Sequence, residues 1–113
     1  MNEIYFAAYM RDALGRKKVV DECLCDPNDI FDLPGNNWYG AGSGFALYKD
    51  QLINNYTDKF QEVTNQLFPH AKDIAKLAIT KFQKDDVLPP ELALPTYLRD
   101  KVALTTRERT AAV

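Results

Sequence analysis

The stretch that decides the predicted fold is residues 36–56, N-N-W-Y-G-A-G-S-G-F-A-L-Y-K-D-Q-L-I-N-N-Y. Its first part, with Trp38, Tyr39 and Ala41, predicts a short buried strand. The glycines at 40, 42 and 44 then permit a sharp turn, because glycine tolerates positive φ and close approach. After the turn, large apolar residues recur at the three- and four-residue steps of one helical face: Phe45, Tyr48, Leu52 and Tyr56. Strand, turn and helix together predict half of a βαβ unit.

The glycine turn has two possible uses. In α/β proteins such a turn can hold a phosphate at a helix N-terminus, or it can simply let a helix pack closely on a sheet. The run G-A-G-S-G at residues 40–44 lacks the spacing of a dinucleotide fingerprint and the Lys-Ser/Thr of a P-loop. The residues therefore favour packing over phosphate contact at Gly42, Ser43 and Gly44 and leave both possible.

Composition indicates one ordinary globular domain. The chain has 113 residues, of which 46% are hydrophobic and 27% charged. No apolar run approaches the ~18–20 residues of a membrane span, and residues 1–5 do not resemble a signal peptide, so we expect a cytoplasmic protein. A net charge of −2, from 14 basic and 16 acidic residues, argues against a protein whose main role is to bind nucleic-acid phosphates.

The inventory of reactive residues predicts no catalytic, cofactor-binding or metal site. Cys23 and Cys25 are the only cysteines and His70 is the only histidine, too few for a metal site or a histidine-based nucleophile. Two cysteines that are two apart on a strand point the same way, which is poor geometry for a disulfide. We expect half-buried free thiols. Asp85 and Asp86 are a paired-carboxylate candidate that we interpret as solvent-facing acids.

The first half of the chain predicts a hairpin and a short helix. Residues 4–10 are apolar on both faces, as in a strand that needs cover on both sides and a neighbour at each edge. Residues 11–16 predict a loop with Gly15 in a left-handed position, and residues 17–24 a second strand suited to a sheet edge. Asp26-Pro27 predicts a capped helix start, and Pro34-Gly35 its end.

The second half predicts one clear helix. Residues 57–68 fit either a helix or an extended segment. Pro69 opens a helix with one apolar stripe: Ala71, Ile74, Ala75, Ala78 and Phe82. Residues 89–95 predict an extended segment, residues 96–99 a short strand or tie-down, and residues 105–113 a mobile cationic tail.

Three segments, taken in order, resemble the C-terminal lobe of the TsaB (YeaZ) family. Residues 1–9, M-N-E-I-Y-F-A-A-Y, are similar to the family's D-A-R-M-x-E-V-Y-W-A-x-Y, and residues 37–45 to its W-x-x-x-G-[ST]-G-[WF]. The third match joins residues 68–73, F-P-H-A-K-D, with residues 95–103, P-T-Y-L-R-D-K-V-A. The closing P-x-Y-L-R-x-x-V-A is the most specific of these.

The resemblance implies an α/β fold: a ribonuclease-H-like lobe of the actin-like ATPase fold, with an N-terminal β-hairpin followed by strand–helix units. In the family, the lobe's first strand lies between the strands matching residues 4–10 and 38–42, and it precedes the residue that matches Met1. We therefore expect residues 1–104 to form an incomplete lobe, a fragment or a chain completed in trans. The predicted core comprises Trp38, Phe45, Tyr48, Leu52, Ile74, Ala78 and Phe82.

The resemblance also implies a function. Family members are non-catalytic subunits of the bacterial machinery that makes N6-threonylcarbamoyladenosine in tRNA, with a TsaD-type catalytic subunit and a TsaE-type ATPase as partners and a homodimer as a further possibility. Those contacts involve mainly the first lobe. Contact with tRNA would be indirect, and the peptidase M22, or glycoprotease-like, name implies no protease activity because the paired metal-binding histidines have no counterpart here.

Two other functions compete with the scaffold. One is a nucleotide-dependent enzyme of the actin-like, sugar-kinase class, with residues 42–44 touching phosphate. The other is an interaction module whose cationic segment from Arg99 to Arg109 contacts RNA.

Overall fold

The computed structural model describes residues 2–99 together with Arg107 and Thr110. It is a mixed α/β structure of four strands and three α-helices in the described part of the chain, in the order that follows. The elements are β1 (Ile4–Asp12), β2 (Gly15–Cys25), β3 (Trp38–Ala41), α1 (Gly44–Leu47), α2 (Lys49–Asn55), β4 (Phe60–Thr64), α3 (Ala71–Gln83) and a 3-10 turn at Pro90–Leu92.

Strands β1 and β2 form the predicted antiparallel hairpin. Asp12 pairs with Gly15 across a two-residue turn, and Ile4 pairs with Cys25 at the far end. Gly15 has φ +123°, a backbone conformation that favours glycine. The Asp12 carboxylate accepts a hydrogen bond of 2.8 Å from the Leu14 N–H and so stabilises the turn. Both strands are longer than the sequence predicts, because the pairing continues up to this tight turn.

Strands β3 and β4 are parallel and are joined by α1 and α2, which makes a βαβ unit whose first half, the strand, turn and helix, is the predicted one. The ambiguous residues 57–68 thus contain a strand, β4. Tyr48 has φ −123° and ψ 28° and separates the two helices. The predicted shared face is confirmed, since Leu52 and Tyr56 are buried and Phe45 is half-buried. The prediction that β3 is buried is wrong at Tyr39, which is 68% exposed.

Residues 26–33 are not the predicted helix. Asp26 instead accepts a hydrogen bond of 2.8 Å from the Asn28 N–H, the local turn that competes with a helix start. The chain then runs extended, so that Phe31 and Leu33, two residues apart, both point inward. Phe31 stacks on Phe6 at 4.9 Å between ring centroids, and Leu33 is only 2% exposed. Burial of these two side chains therefore outweighs the helix-start signal.

The two sheets are separate. In the part of the chain that the structure describes, β1 pairs only with β2, and β3 pairs only with β4. A single continuous sheet would have contradicted the expectation that a strand is missing between β1 and β3. The sheets are not continuous, and the missing strand stays a prediction.

The core lies between the sheets and the α1–α2 face. Its buried residues form two small clusters: Ile4, Cys25 and Leu52 in one, and Ala8, Leu33 and Tyr56 in the other. The prediction that α3 contributes to the core is wrong, because Ile74 is 61% and Phe82 74% exposed and Ala78 is exposed as well. The radius of gyration of 17.4 Å exceeds the ~13 Å typical of a compact domain of about 100 residues.

The last described segment ties the chain back to its beginning. Arg99 donates to the Glu3 carboxylate at 3.3 Å, and its guanidinium lies 5.8 Å from the centre of the Tyr5 ring. This confirms the prediction that residues 96–99 are held against the rest of the chain, although these residues form no strand. The predicted boundary after residue 104 and the tail of residues 105–113 lie outside the described residues, apart from Arg107 and Thr110.

Candidate functional site

Three amides at and just after the glycine turn of residues 40–44 are hydrogen-bonded within the protein. Gly42 has φ +121°, and its N–H donates to the Thr64 carbonyl of β4 at 3.0 Å. The Phe45 N–H donates to the Gly42 carbonyl at 3.2 Å, and the Ala46 N–H donates to the Ser43 carbonyl at 2.9 Å. A phosphate held by a loop needs such amides to point at it. These three amides already have protein acceptors, and α1 is only four residues long.

The same turn brings a helix into close contact with a strand. A Cβ atom at residue 40 would lie 2.6 Å from Phe45 Cζ, so any other residue there would require the Phe45 ring or the strand to shift. At Gly44, a Cβ would lie 3.7 Å from Ile4 Cγ2, in ordinary contact with β1. The geometry therefore supports the packing use of the glycines.

A groove of about 660 Å³ lies between β1 and β3, and we call it the β1–β3 groove. It is lined by residues 3–9 on one side and by residues 38–45 on the other. Four further core residues also line it: Leu33, Leu52, Tyr56 and Phe60. Its size falls in the ~300–1,000 Å³ range of ligand sites. The sequence signal for it is the strand of residues 4–10, which is apolar on both faces and lacks a second neighbour.

The reactive side chains that the sequence singled out lie apart from this groove. His70 is exposed at the start of α3, and Asp85 and Asp86 are exposed beyond its end. Cys23 and Cys25 are free thiols, the first half-buried and the second buried, as predicted. Among the described residues, no group of three or more His, Cys, Asp or Glu side chains could hold a metal ion.

Burial and neighbouring charge alter the acidity of Cys25. Removal from water, with smaller effects from Cys23 and from Asp29 and Asp26, raises the pKa of the Cys25 thiol to about 12. The thiolate is the reactive form of cysteine. Cys25 is therefore a poor nucleophile in the folded chain and belongs to the core.

A polar cluster on the hairpin was not predicted. Tyr9 donates a hydrogen bond to Glu22, and Lys18 donates to the same carboxylate at 2.7 Å. The Lys18 ammonium and then the Tyr9 hydroxyl lower the pKa of Glu22 to about 2. The guanidinium of Arg16 lies 5.5 Å from the Tyr9 ring centre. Sequence pattern alone misses this cluster because irregularities in the β1–β2 register decide which side chains meet.

These features form a mixed α/β fold in which a glycine turn packs a helix onto a strand, and this fold resembles that of YeaZ (TsaB) proteins. The predicted resemblance is confirmed by two solved structures. One is YeaZ from Pseudomonas aeruginosa, which is 26% identical with a TM-score of 0.70 over 87% of this chain. The other is a Pseudomonas aeruginosa protein described as similar to the peptidase YeaZ, which is 26% identical with a TM-score of 0.71 over 88% of this chain.

The match covers only part of those proteins. This chain spans 45% of each of the two solved chains. No protein-family model and no curated protein matches the sequence. In the described residues, no helix is long and apolar enough to cross a membrane.

Proposed function

We propose that this chain is the C-terminal, ribonuclease-H-like lobe of a TsaB-like scaffold that supports the making of N6-threonylcarbamoyladenosine in tRNA without catalysing it. The observation that carries the proposal is the similarity to YeaZ over 87% of the chain. The region of the glycine turn adds support, since the Gly42 amide and the Phe45 and Ala46 amides that follow the turn are bonded within the protein, and Gly40 is in close contact with Phe45. A nucleotide enzyme of the actin-like class would need amides that are free to bind phosphate.

The proposed role is structural and cytoplasmic. The scaffold would act with a TsaD-type catalytic subunit and a TsaE-type ATPase, through contacts that lie mainly in the lobe this chain does not match. A lobe of this kind holds the other lobe in position, and so it contributes to the complex by positioning and not by catalysis.

A chimera tests the proposal. The matched 45% of Pseudomonas aeruginosa YeaZ is replaced by this chain, and the chimera is expressed in bacteria depleted of their own TsaB. We expect threonylcarbamoyladenosine in total tRNA, measured by mass spectrometry, to return to the level given by intact YeaZ. A folded chimera that leaves the modification at the depleted level would reject the scaffold function.

Calorimetry with ATP separates the scaffold from the nucleotide enzyme. We expect no heat of binding from the folded chimera. Micromolar binding that Gly42→Asp abolishes and Ser43→Ala preserves would instead favour a nucleotide-dependent enzyme.

A further inference from the structure

The turn end of the β1–β2 hairpin concentrates positive charge. Residues 9–20 hold four basic residues and one acidic residue, a net charge of +3, whereas the rest of the chain holds 10 basic and 15 acidic residues, a net charge of −5. Every residue from 9 to 18 is exposed, so this end projects from the body of the protein. The charge of an acidic chain is therefore segregated, with an excess of cations at one projecting end.

Four residues of this end share one side of the hairpin, which we call the arginine face. Tyr9 pairs with Lys18, and Arg11 pairs with Arg16. Residues two apart on a strand point to the same side of the sheet, as do residues directly opposite each other in an antiparallel pair. The arginine face therefore consists of one tyrosine and three cations, all of them exposed.

Neighbouring acids neutralise only one of these three cations. The Lys18 ammonium lies 2.7 Å from the Glu22 carboxylate and 3.9 Å from that of Asp21. Among the described residues, neither Arg11 nor Arg16 makes an ion pair. Like charges directly opposite each other destabilise a sheet. This arginine pair is thus unfavourable in the free protein, and an anion bound between the two residues would offset the repulsion.

The polar cluster of the hairpin holds one of the two arginines in place. The Arg16 guanidinium lies 5.5 Å from the Tyr9 ring centre, a distance at which a cation is attracted to an aromatic ring. The Tyr9 hydroxyl in turn donates to the Glu22 carboxylate, to which Lys18 also donates. Arg16 therefore loses less side-chain freedom on binding an anion than a freely rotating arginine would.

The composition of the arginine face fits a nucleic-acid strand. Phosphates follow one another about every 3.4 Å along such a strand, and arginine binds phosphate oxygens through two parallel N–H bonds. Cations interleaved with an aromatic ring are typical of nucleic-acid surfaces. A protein interface or a membrane would require a larger apolar area, whereas besides Tyr9 only Met10 and Leu14 expose large apolar side chains at this end.

We infer that the arginine face of the hairpin binds the phosphate backbone of a nucleic-acid strand through Arg11 and Arg16. The inference goes beyond the proposed function, which assigns no nucleic-acid contact to this lobe. It agrees with a net charge of −2, because the excess of acidic residues lies outside residues 9–20. A polyanion would therefore approach the protein at the hairpin end.

Fluorescence anisotropy of the full chain with two labelled single strands, oligo(U) RNA and oligo(dT) DNA, tests the inference. We expect dissociation constants of ~1–100 µM at low salt, and a slope of log K against log salt that includes about −0.7 for each phosphate contact. Arg11→Ala/Arg16→Ala should make the slope shallower by about 1.4 and weaken binding about 10-fold. Arg11→Lys/Arg16→Lys keeps both charges and should keep the slope. Equal binding of the two strands would identify the backbone alone as the ligand, and tighter binding of RNA would identify RNA.

Two charge-matched variants control for the loss of positive charge. Lys72→Ala/Lys76→Ala removes two exposed cations from α3. Arg107→Ala/Arg109→Ala removes two from the cationic segment that competes for the same role. Neither variant should change the affinity or the slope.

A urea titration shows that weaker binding does not reflect unfolding. Arg11 and Arg16 are exposed, and their replacement removes a like-charge pair, so the urea midpoint of the double alanine variant should change little.

Four outcomes overturn the inference. The first is no binding of either strand. The second is binding that Arg11→Ala/Arg16→Ala leaves unchanged, and the third is binding that a charge-matched variant weakens as much. The fourth is a poly-glutamate peptide that binds as tightly as the strands and is lost in the same variant, which would assign the face to acidic proteins. The chimera tests the scaffold function separately, so none of these outcomes affects it.

Discussion

The far edge of the Phe45 ring points at Gly40, so that a Cβ at residue 40 would be 2.6 Å from Phe45 Cζ. This contact joins the start of α1 to the middle of β3. Because real Cβ atoms do not approach so closely, the ring or the strand would have to shift for any other residue. Packing thus favours glycine at position 40, without reference to a ligand.

We expect Gly40→Ala to lower the free energy of unfolding by about 1–3 kcal/mol, the usual cost of overpacking, measured by urea denaturation. The double variant Gly40→Ala/Phe45→Leu should lose less than the sum of the two single variants, because the shorter side chain makes room. Equal or greater loss in the double variant would show that the contact is not the cause.

The Tyr56 hydroxyl holds the extended segment of residues 26–33 in place. It accepts a hydrogen bond of 3.0 Å from the Phe31 N–H, and Tyr56 is 2% exposed. We expect Tyr56→Phe to cost about 1–3 kcal/mol, since it leaves a part-buried donor unpaired. Tyr97→Phe, at a side chain 78% exposed, is the control and should change the urea midpoint little. Equal effects of the two variants would contradict this role.

The two cysteines should differ in reactivity. Because burial raises the pKa of Cys25 to about 12, iodoacetamide at neutral pH should label Cys23 faster than Cys25 in the folded chain. In urea the two rates should converge. Peptide mass spectrometry measures both sites in one sample, and faster labelling of Cys25 in the folded chain would contradict its burial.

The same thiol gives a pH dependence. The unfolded state loses the Cys25 proton near pH 9, whereas the folded state keeps it until about pH 12. The contribution of Cys25 to the free energy of unfolding is therefore fully present below about pH 9 and is lost as pH rises toward the pKa of the folded state. Cys25→Ala should remove this alkaline decline relative to Cys23→Ala, as measured by denaturation between these pH values.

The exposed stripe of α3 should promote self-association. Ile74 and Phe82 are 61% and 74% exposed on one face of a helix that buries no residue. We expect Ile74→Glu to lower the weight-average mass seen by analytical ultracentrifugation. Thr80→Glu adds the same charge on the polar face and should not. An equal decrease in both variants would indicate a charge effect.

The sequence predicted those elements whose signal is local. The hairpin follows from the apolar residues 4–10 and from Gly15, and the first half of the βαβ unit follows from the glycines and the aromatic spacing of residues 36–56. Helix α3 follows from its periodicity. Each of these signals lies within about 20 residues of chain, where propensity and patterning are informative.

The sequence-based predictions that are wrong concern residues whose contacts are with residues far away in the sequence. The helix-start signal at Asp26 is outweighed by the contacts that Phe31 and Leu33 make with β1 and Tyr56. The spacing of residues in the sequence does not reveal these contacts. The stripe of α3 was assigned to a core because amphipathic helices usually have one, yet none of the described residues covers it. The residues alone indicate the groove only as a strand that lacks a neighbour, since its second wall depends on where β3 lies, whereas the resemblance implies a gap between the strands of residues 4–10 and 38–42.

The ion pair between Glu3 and Arg99 joins residues that are 96 positions apart in sequence. The first and last residues of the segment 3–99 therefore lie close together in the fold. Short peptide bridges could link them, with new ends opened at the exposed tip around Leu14. Such a rearranged chain would keep the contacts described above other than those of the β1–β2 turn, and the whole unit could be inserted within a loop of another protein.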